Sequence, residues 1–287
     1  MSKFKAAVVQ MRSGTELSRN LPLLEAAVRE AAANGAGYVQ TPENTGAVFR
    51  DKNLARTMLQ PEERDGVVAS ASRLAGELGI TLHVGSTPIA RGDGKIANRA
   101  FLFGPDGTKI ASYDKIHMFD VDLDNGESWR ESATYEPGTE AVVVDLPFAR
   151  LGLAICYDLR FPQLFRAQAL AGADVLTVPA AFTRQTGEAH WHTLLRARAI
   201  ENGAWVIAAA QGGRHEDGRE TFGHSLVVDP WGRVVAESAG DGPGIIYAEI
   251  DPSAAALARA RIPNLNNARD FQVSLVTSAP ARLKVAS

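Results

Sequence analysis

The sequence predicts an α/β protein, and three observations predict it. Short β-branched runs alternate with segments of helical periodicity along most of the 287 residues. Glycine, proline and aspartate fall between these runs, where turns are needed. No Gly/Ser/Pro-rich linker, low-complexity tract or short-period repeat interrupts the pattern, which points to one domain over 1–280 and a frayed tail at 281–287.

Phe4 to Gln10 reads as a buried strand. From Leu17 to Ala33, apolar positions recur at helical spacing (Leu21, Leu24, Ala27, Val28, Ala31), and Gly35 follows as a stop. Gly37 to Thr41 is a short strand ending at Pro42-Glu43-Asn44. Val67 to Leu78 is helical and Thr81 to Ile89 extended. Arg99 to Phe103 and Lys109 to Tyr113 flank the turn Gly104-Pro-Asp-Gly107 as a hairpin-like pair. The second half repeats the rhythm. Leu151 to Ile155 is a strand, Pro162 to Ala171 a helix opened by proline and closed by Gly172, and Val175 to Val178 a strand. A helix over Glu188 to Asn202 ends at Gly203. Further strands are expected at Ala204 to Ala210, Ser225 to Val228, Val234 to Glu237 and Gly244 to Ile250.

Composition narrows the function. Hydrophobic residues make up 45% and charged residues 22%, while 30 Lys+Arg against 33 Asp+Glu leave a net charge of −3. That balance argues against a disordered chain and against a basic nucleic-acid binder. No run approaches the roughly 18 apolar residues of a membrane span, and the N-terminus lacks the h-region of a signal peptide. A cytoplasmic location is the expectation. The sole cysteine, Cys156, excludes an intramolecular disulfide and any multi-cysteine metal site.

Three residues follow predicted strands. Cys156 stands where the apolar run Leu151-Gly-Leu-Ala-Ile155 meets the polar turn Tyr157-Asp-Leu-Arg-Phe-Pro162. The C-terminal edge of an α/β sheet is where reacting groups gather; a small buried hydrophobe is the plainer reading of a single cysteine. Glu43 follows Tyr38-Val-Gln-Thr-Pro42 and offers a general base, or a solvated loop carboxylate. Lys115, in Tyr113-Asp-Lys-Ile-His117, offers a point charge for an oxyanion, or a solvated lysine. Each signal is weak alone; together they are complementary. His190 and His192, two apart, fall on different helix faces, unlike an i, i+4 metal pair. Arg196, Arg198 and Glu201 read as structural pairing on a charged helix face.

Taken together, these residues identify a resemblance. From about Lys5 to about Phe271 the chain resembles the nitrilase superfamily of carbon–nitrogen hydrolases. The matching motifs are Pro42-Glu43-Asn44, Tyr113-Asp-Lys115-Ile-His117, Gly152-Leu-Ala-Ile-Cys156-Tyr-Asp-Leu-Arg-Phe-Pro162, His190-Trp191, Arg196-Ala-Arg198-Ala-Ile-Glu201-Asn202 and Gly223-His-Ser-Leu-Val-Val-Asp-Pro-Trp-Gly232. Ala208-Ala-Ala-Gln-Gly-Gly-Arg-His215 followed by Gly223-His-Ser225 is similar to the Nit branch, the deaminated glutathione amidases in particular. Asn44 departs from the small or aromatic residue more usual there, and segment 119–130 departs where relatives line the pocket.

The resemblance implies a four-layer αββα sandwich, a homodimer or higher oligomer, and no cofactor or metal. It implies a Glu43–Lys115–Cys156 triad with Glu131 as a second pocket glutamate. It further implies that Arg160 holds the carboxylate of an α-keto acid substrate, with Phe182 and Thr186 as additional contacts. A guanidinium at the pocket mouth grips a carboxylate bidentately; the alternative is an Arg160–Asp158 pair bracing the turn. The expected reaction is amide hydrolysis through a Cys156 thioester, with the Tyr157 N–H and Lys115 at the oxyanion and ammonia released. Deaminated glutathione is the first substrate expected, with 2-oxoglutaramate or 2-oxosuccinamate (the ω-amidase substrates) and an N-carbamoyl amino acid as alternatives. A thiol redox enzyme lacks a resolving cysteine here, and a non-catalytic interaction protein would be expected to lack a triad member.

Overall fold

Phe4–Gln10, strand β1, alternates between two cores: Ala6 and Val8 join one, Ala7 and Val9 the other. A strand buried on both faces needs a cover on each side, and that requirement organises the computed structural model, which describes residues 2–49, 59–123 and 126–277. On one side of β1 lie helices α1 (Leu17–Ala33) and α2 (Gly66–Leu78), which bury Leu24, Val28, Ala31, Val67, Leu74 and Ala75 against it. On the other lies a second sheet.

The first sheet runs β16-β1-β2-β3-β4-β5. Its further members are β2 (Tyr38–Gln40), β3 (Thr81–Ala90), β4 (Ile96–Phe103), β5 (Lys109–Asp114) and β16 (Gly244–Ile250). The second runs β15-β14-β11-β10-β9-β8, made of β8 (Val142–Asp145), β9 (Arg150–Leu153), β10 (Val175–Thr177), β11 (Trp205–Ala208), β14 (Leu226–Val228) and β15 (Val234–Glu237). In each, three strands run parallel through helical crossovers: β1-β2-β3 by way of α1 and α2, and β9-β10-β11 by way of α3 (Pro162–Leu170) and α4 (Arg184–Asn202). Ala100, Leu102 and Tyr113 of the first sheet share a core with Leu151, Leu153, Val175 and Val206 of the second and with Phe165, Trp191 and Leu195 of α3 and α4. The layers are therefore helix, sheet, sheet, helix: the αββα sandwich.

Local signals explain most boundaries. Asp65 caps α2 by accepting from the Val67 and Val68 N–H groups at 2.9 and 3.0 Å. Helix α4 starts at Arg184, four residues before the expected Glu188. Gly187 sits in its first turn because a Cβ there would lie 2.3 Å from Phe222, so the glycine marks close packing and not a helix break. Strand β9 stops at Leu153, two residues before the expected Ile155. Two ribbons of three-residue strands, β6 (Asp120–Asp122) with β7 (Ser128–Arg130) and β12 (Gly212–Arg214) with β13 (Glu220–Phe222), were not expected, nor were the edge strand β8 and helix α5 (Ser253–Arg261). The expected tail at 281–287 lies outside the described residues.

Candidate active site

The parallel strands β2, β9 and β10 end on the same side of the sandwich, and three loops leave them there. Glu43 follows β2, Cys156 follows β9 and Ala181 follows β10, while Lys115 comes directly after β5, which pairs antiparallel with β4. Close approach of backbone fixes the Glu43 loop. A Cβ on Gly85 would lie 2.2 Å from the Thr41 carbonyl oxygen, so only glycine lets β3 press against Thr41-Pro42. Gln211, crossing from the other sheet, donates to the Glu43 and Asn44 carbonyls at 3.1 and 3.2 Å.

Cys156 opens a 3-10 turn, Cys156–Arg160, with φ of +50°. That left-handed conformation costs a β-carbon-bearing residue roughly 1–2 kcal/mol. The turn is held in it by the Cys156 N–H donating to the Pro179 carbonyl at 2.9 Å and by the Asp158 carboxylate. Buried Asp158 accepts from the Ile155 N–H (2.9 Å), the Tyr113 hydroxyl (2.7 Å) and the His117 N–H (3.0 Å), and its Oδ1 meets His117 Nδ1 at 2.7 Å. It thereby ties both flanks of Lys115 to the cysteine turn. The alternative Arg160–Asp158 brace is not the arrangement found. Tyr157 is second in the turn, so its N–H is among the first-turn donors that no intrahelical carbonyl takes.

The side chains converge. Lys115 Nζ donates to Glu43 Oε1 at 3.0 Å and to both Glu131 oxygens at 3.0 and 2.8 Å. Glu43 Oε1 also accepts from Asn98 Nδ2 (2.9 Å), and its Oε2 from the Ala181 N–H (2.8 Å). Glu131 Oε2 accepts from the Phe119 N–H at 2.7 Å. Glu43 and Lys115 are 4% and 2% exposed, so solvent screens these charges little.

Burial alone raises the Glu43 pKa, but the Lys115 charge and the contacts from Cys156 and Ala181 outweigh it and hold the carboxyl below its usual range. Burial would lower Lys115, yet the Glu131 and Glu43 charges keep it well above an ordinary lysine. Burial and the Glu43 charge push the Cys156 thiol well up. The resting state is therefore a neutral thiol beside an ionised carboxylate and an ammonium. A group that needs Glu43 ionised and Lys115 charged works above the depressed pKa of one and below the raised pKa of the other. The expected kcat/KM profile is flat from about pH 6 to about pH 9, with no rise near 8.5 where a free thiol ionises. A limb at that pH would mean the thiol ionises by itself.

A cavity of about 320 Å³ opens above the sulfur. Cys156, Tyr157, Glu43, Lys115, Glu131, Phe182 and Thr186, all expected at the site, line it. Arg160 does not. Its guanidinium lies behind that wall, 5.8 Å from the Tyr157 ring centroid and 5.2 Å from that of Phe182, with Nη1 3.3 Å from His190 Nδ1. Burial lowers its pKa, while the charges of Cys156 and Tyr157 oppose the shift. Asn98, the Ala181 N–H and Arg219 were missed. Asn98 carried a signal, a polar residue inside the apolar strand β4; a backbone N–H carries none. His192 Nε2 and His224 Nδ1 both meet Glu237 Oε1, at 2.8 and 2.9 Å. This is the one group of metal-ligand types among the described residues, and it lies outside the cavity lining.

Residues 5–260 match the sequence model of the carbon-nitrogen hydrolase family. The chain belongs to that family. Among similar carbon–nitrogen hydrolases, the deaminated glutathione amidase of Yersinia enterocolitica is 39% identical over 279 residues, covering 96% of each chain. The omega-amidase NIT2 of Homo sapiens is 37% identical over 92% of this chain and 94% of its own. The crystal structure of the C. elegans NitFhit protein superposes with a TM-score of 0.87 at 35% identity, over 94% of this chain and 66% of that longer one. No helix among the described residues is long and apolar enough to cross a membrane.

Proposed function

We propose that this carbon–nitrogen hydrolase cleaves a small carboxylate-bearing amide through a thioester on Cys156, and that deaminated glutathione is its substrate. The observation that carries the reading is the strained Cys156 turn beside ionised Glu43, with Lys115 held between two glutamates on the cavity floor.

An amide carbonyl is a weak electrophile, so attack needs a base, an oxyanion site and a proton for the amine. Glu43 takes the thiol proton as sulfur bonds the carbonyl carbon. The Tyr157 N–H donates to the resulting oxyanion. The three N–H groups of Lys115 already face carboxylate oxygens, so Lys115 serves the oxyanion mainly through its charge. Glu43 passes its proton to the departing nitrogen, and the C–N bond breaks. Water, deprotonated by Glu43, then attacks the thioester, releasing the acid and returning the thiol. Glu131 fixes the Lys115 ammonium. No step needs a cofactor.

The amine released depends on the amide. A primary amide such as 2-oxoglutaramate gives the expected ammonia; deaminated glutathione gives cysteinylglycine. Both give 2-oxoglutarate, which is the product to assay. The test offers deaminated glutathione, 2-oxoglutaramate, an N-carbamoyl amino acid and a simple nitrile side by side. A kcat/KM at least roughly tenfold higher for deaminated glutathione, or about 1.4 kcal/mol of transition-state preference, supports the reading. Preference for 2-oxoglutaramate keeps the chemistry and moves the substrate to the ω-amidase alternative. No hydrolysis of any overturns it.

Behind its wall, Arg160 acts on an acyl-side carboxylate through its field and through Phe182. Arg160→Ala is expected to raise KM several-fold for anionic amides and less for a neutral one, read from paired saturation curves. We further propose a homodimer in a reducing, cytoplasmic compartment. The nucleophile is a thiol. Trp231 and Ile200, which packs at Gly232, stay exposed as an apolar patch.

A further inference from the structure

Arg219 occupies a different wall of the cavity from the one that hides Arg160. Its guanidinium stacks 4.4 Å from the Trp129 ring centroid, and its Nη2 donates to the Phe49 carbonyl at 2.9 Å. The Arg219 backbone is pinned in a hairpin turn, donating to Asp217 Oδ1 at 3.0 Å and accepting from the His215 N–H at 2.8 Å. Among the described residues no carboxylate pairs with that charge, and its Nε is buried without an acceptor. Among the same residues, one of its five side-chain N–H groups has an acceptor.

The surroundings make that freedom unusual. Arg130, on the same lining, is spent on Asp122, with Nη2 at 2.9 and 2.8 Å from its two oxygens. Glu43, Glu131 and Lys115 together carry a net negative charge that repels anions from the floor. A planar guanidinium fixed by stacking presents a pre-oriented fork for a carboxylate. An amine leaving group two residues long reaches about 7 Å from the scissile nitrogen, so its terminal carboxylate belongs well away from the sulfur.

We propose that Arg219 is the binding site for a carboxylate on the departing amine, making it the residue that favours an amino-acid or dipeptide leaving group over ammonia. The inference rests on the amidase reading above and adds the leaving-group side to it. A primary amide leaves Arg219 empty; a carboxylate-bearing amine fills it.

The test is a cycle between protein and substrate. Deaminated glutathione is compared with the same compound carrying a carboxamide in place of its glycine carboxylate, in wild-type protein and in Arg219→Gln. In the wild type, capping the carboxylate is expected to lower kcat/KM tenfold or more, chiefly through KM. In Arg219→Gln the two compounds should react within twofold of each other, with the free acid reduced to the level of the capped one. Because each protein is compared with itself, general damage to the Trp129 wall cancels. A wild type indifferent to capping overturns the proposal whether or not the variant folds, and so does a variant that still discriminates tenfold. If the wild type cleaves neither compound, the amidase reading itself fails and takes the subsite with it.

Discussion

Cys156→Ala is expected to lose amide hydrolysis by about 10⁴-fold or more while keeping its fold, since removing a covalent nucleophile leaves only binding and oxyanion contributions. The fold should survive for a local reason. Alanine has the same β-carbon, so the φ of +50° is no more strained than in the wild type, and the turn is held by Asp158 and Pro179 rather than by sulfur. The denaturation midpoint should move by less than the equivalent of about 1 kcal/mol. Cys156→Gly relieves the left-handed strain and should be at least as stable as Cys156→Ala, though equally inactive. Release of 2-oxoglutarate and a denaturant titration read both quantities. Near wild-type turnover in Cys156→Ala would remove the mechanism.

Lys115→Met is expected to damage stability and turnover together. It leaves buried Glu43 and half-buried Glu131 without the cation that both contact. Breaking a buried pair by removing one partner costs about 3–5 kcal/mol, and loss of the oxyanion charge costs about 10²–10³ in rate. The sign with pH follows. Without Lys115, the Glu43 carboxyl loses the charge that holds its pKa down, and burial carries its folded-state value above the unfolded value of about 4.3, so the variant's deficit is full at neutral pH and shrinks as pH falls through the raised value. Adding Glu131→Gln to Lys115→Met removes one of the two charges and should recover part of the stability without recovering turnover. Parallel denaturation curves and steady-state rates of the two variants test this; joint recovery of both would contradict it.

Much of the site was legible because its residues sit where strands end. Glu43, Lys115 and Cys156 each follow a strand read from β-branched composition, and the packing of one sheet on the other brings the loops after β2 and β9 together. Less legible was what depends on long-range placement. Asp158 looked like a partner for Arg160 two residues away, but its carboxylate is taken by Tyr113 and His117, some forty residues upstream in sequence. Arg160 looked like a cavity residue because it follows the cysteine closely; the turn carries it behind Tyr157 and Phe182. Arg219 offered no pattern, since an arginine after Asp-Gly in a turn is ordinary until Trp129, ninety residues earlier, is found beneath it. The three-residue strands were invisible because alternation cannot be seen over so few positions.

Both amides are expected to pass through one acyl-enzyme on Cys156, and product partitioning reads that shared intermediate. Deaminated glutathione and 2-oxoglutaramate would both deposit the 2-oxoglutaryl group on the sulfur, although their leaving groups differ. With methanol added as a competing nucleophile, the thioester divides between 2-oxoglutarate and its methyl ester. A common intermediate retains no memory of the amine, so the ratio of ester to acid should be the same from both substrates at each methanol concentration, with neither product formed by Cys156→Ala. Ratios that differ between the two substrates, or product formation without Cys156, would show that water attacks the amide directly and would contradict the account.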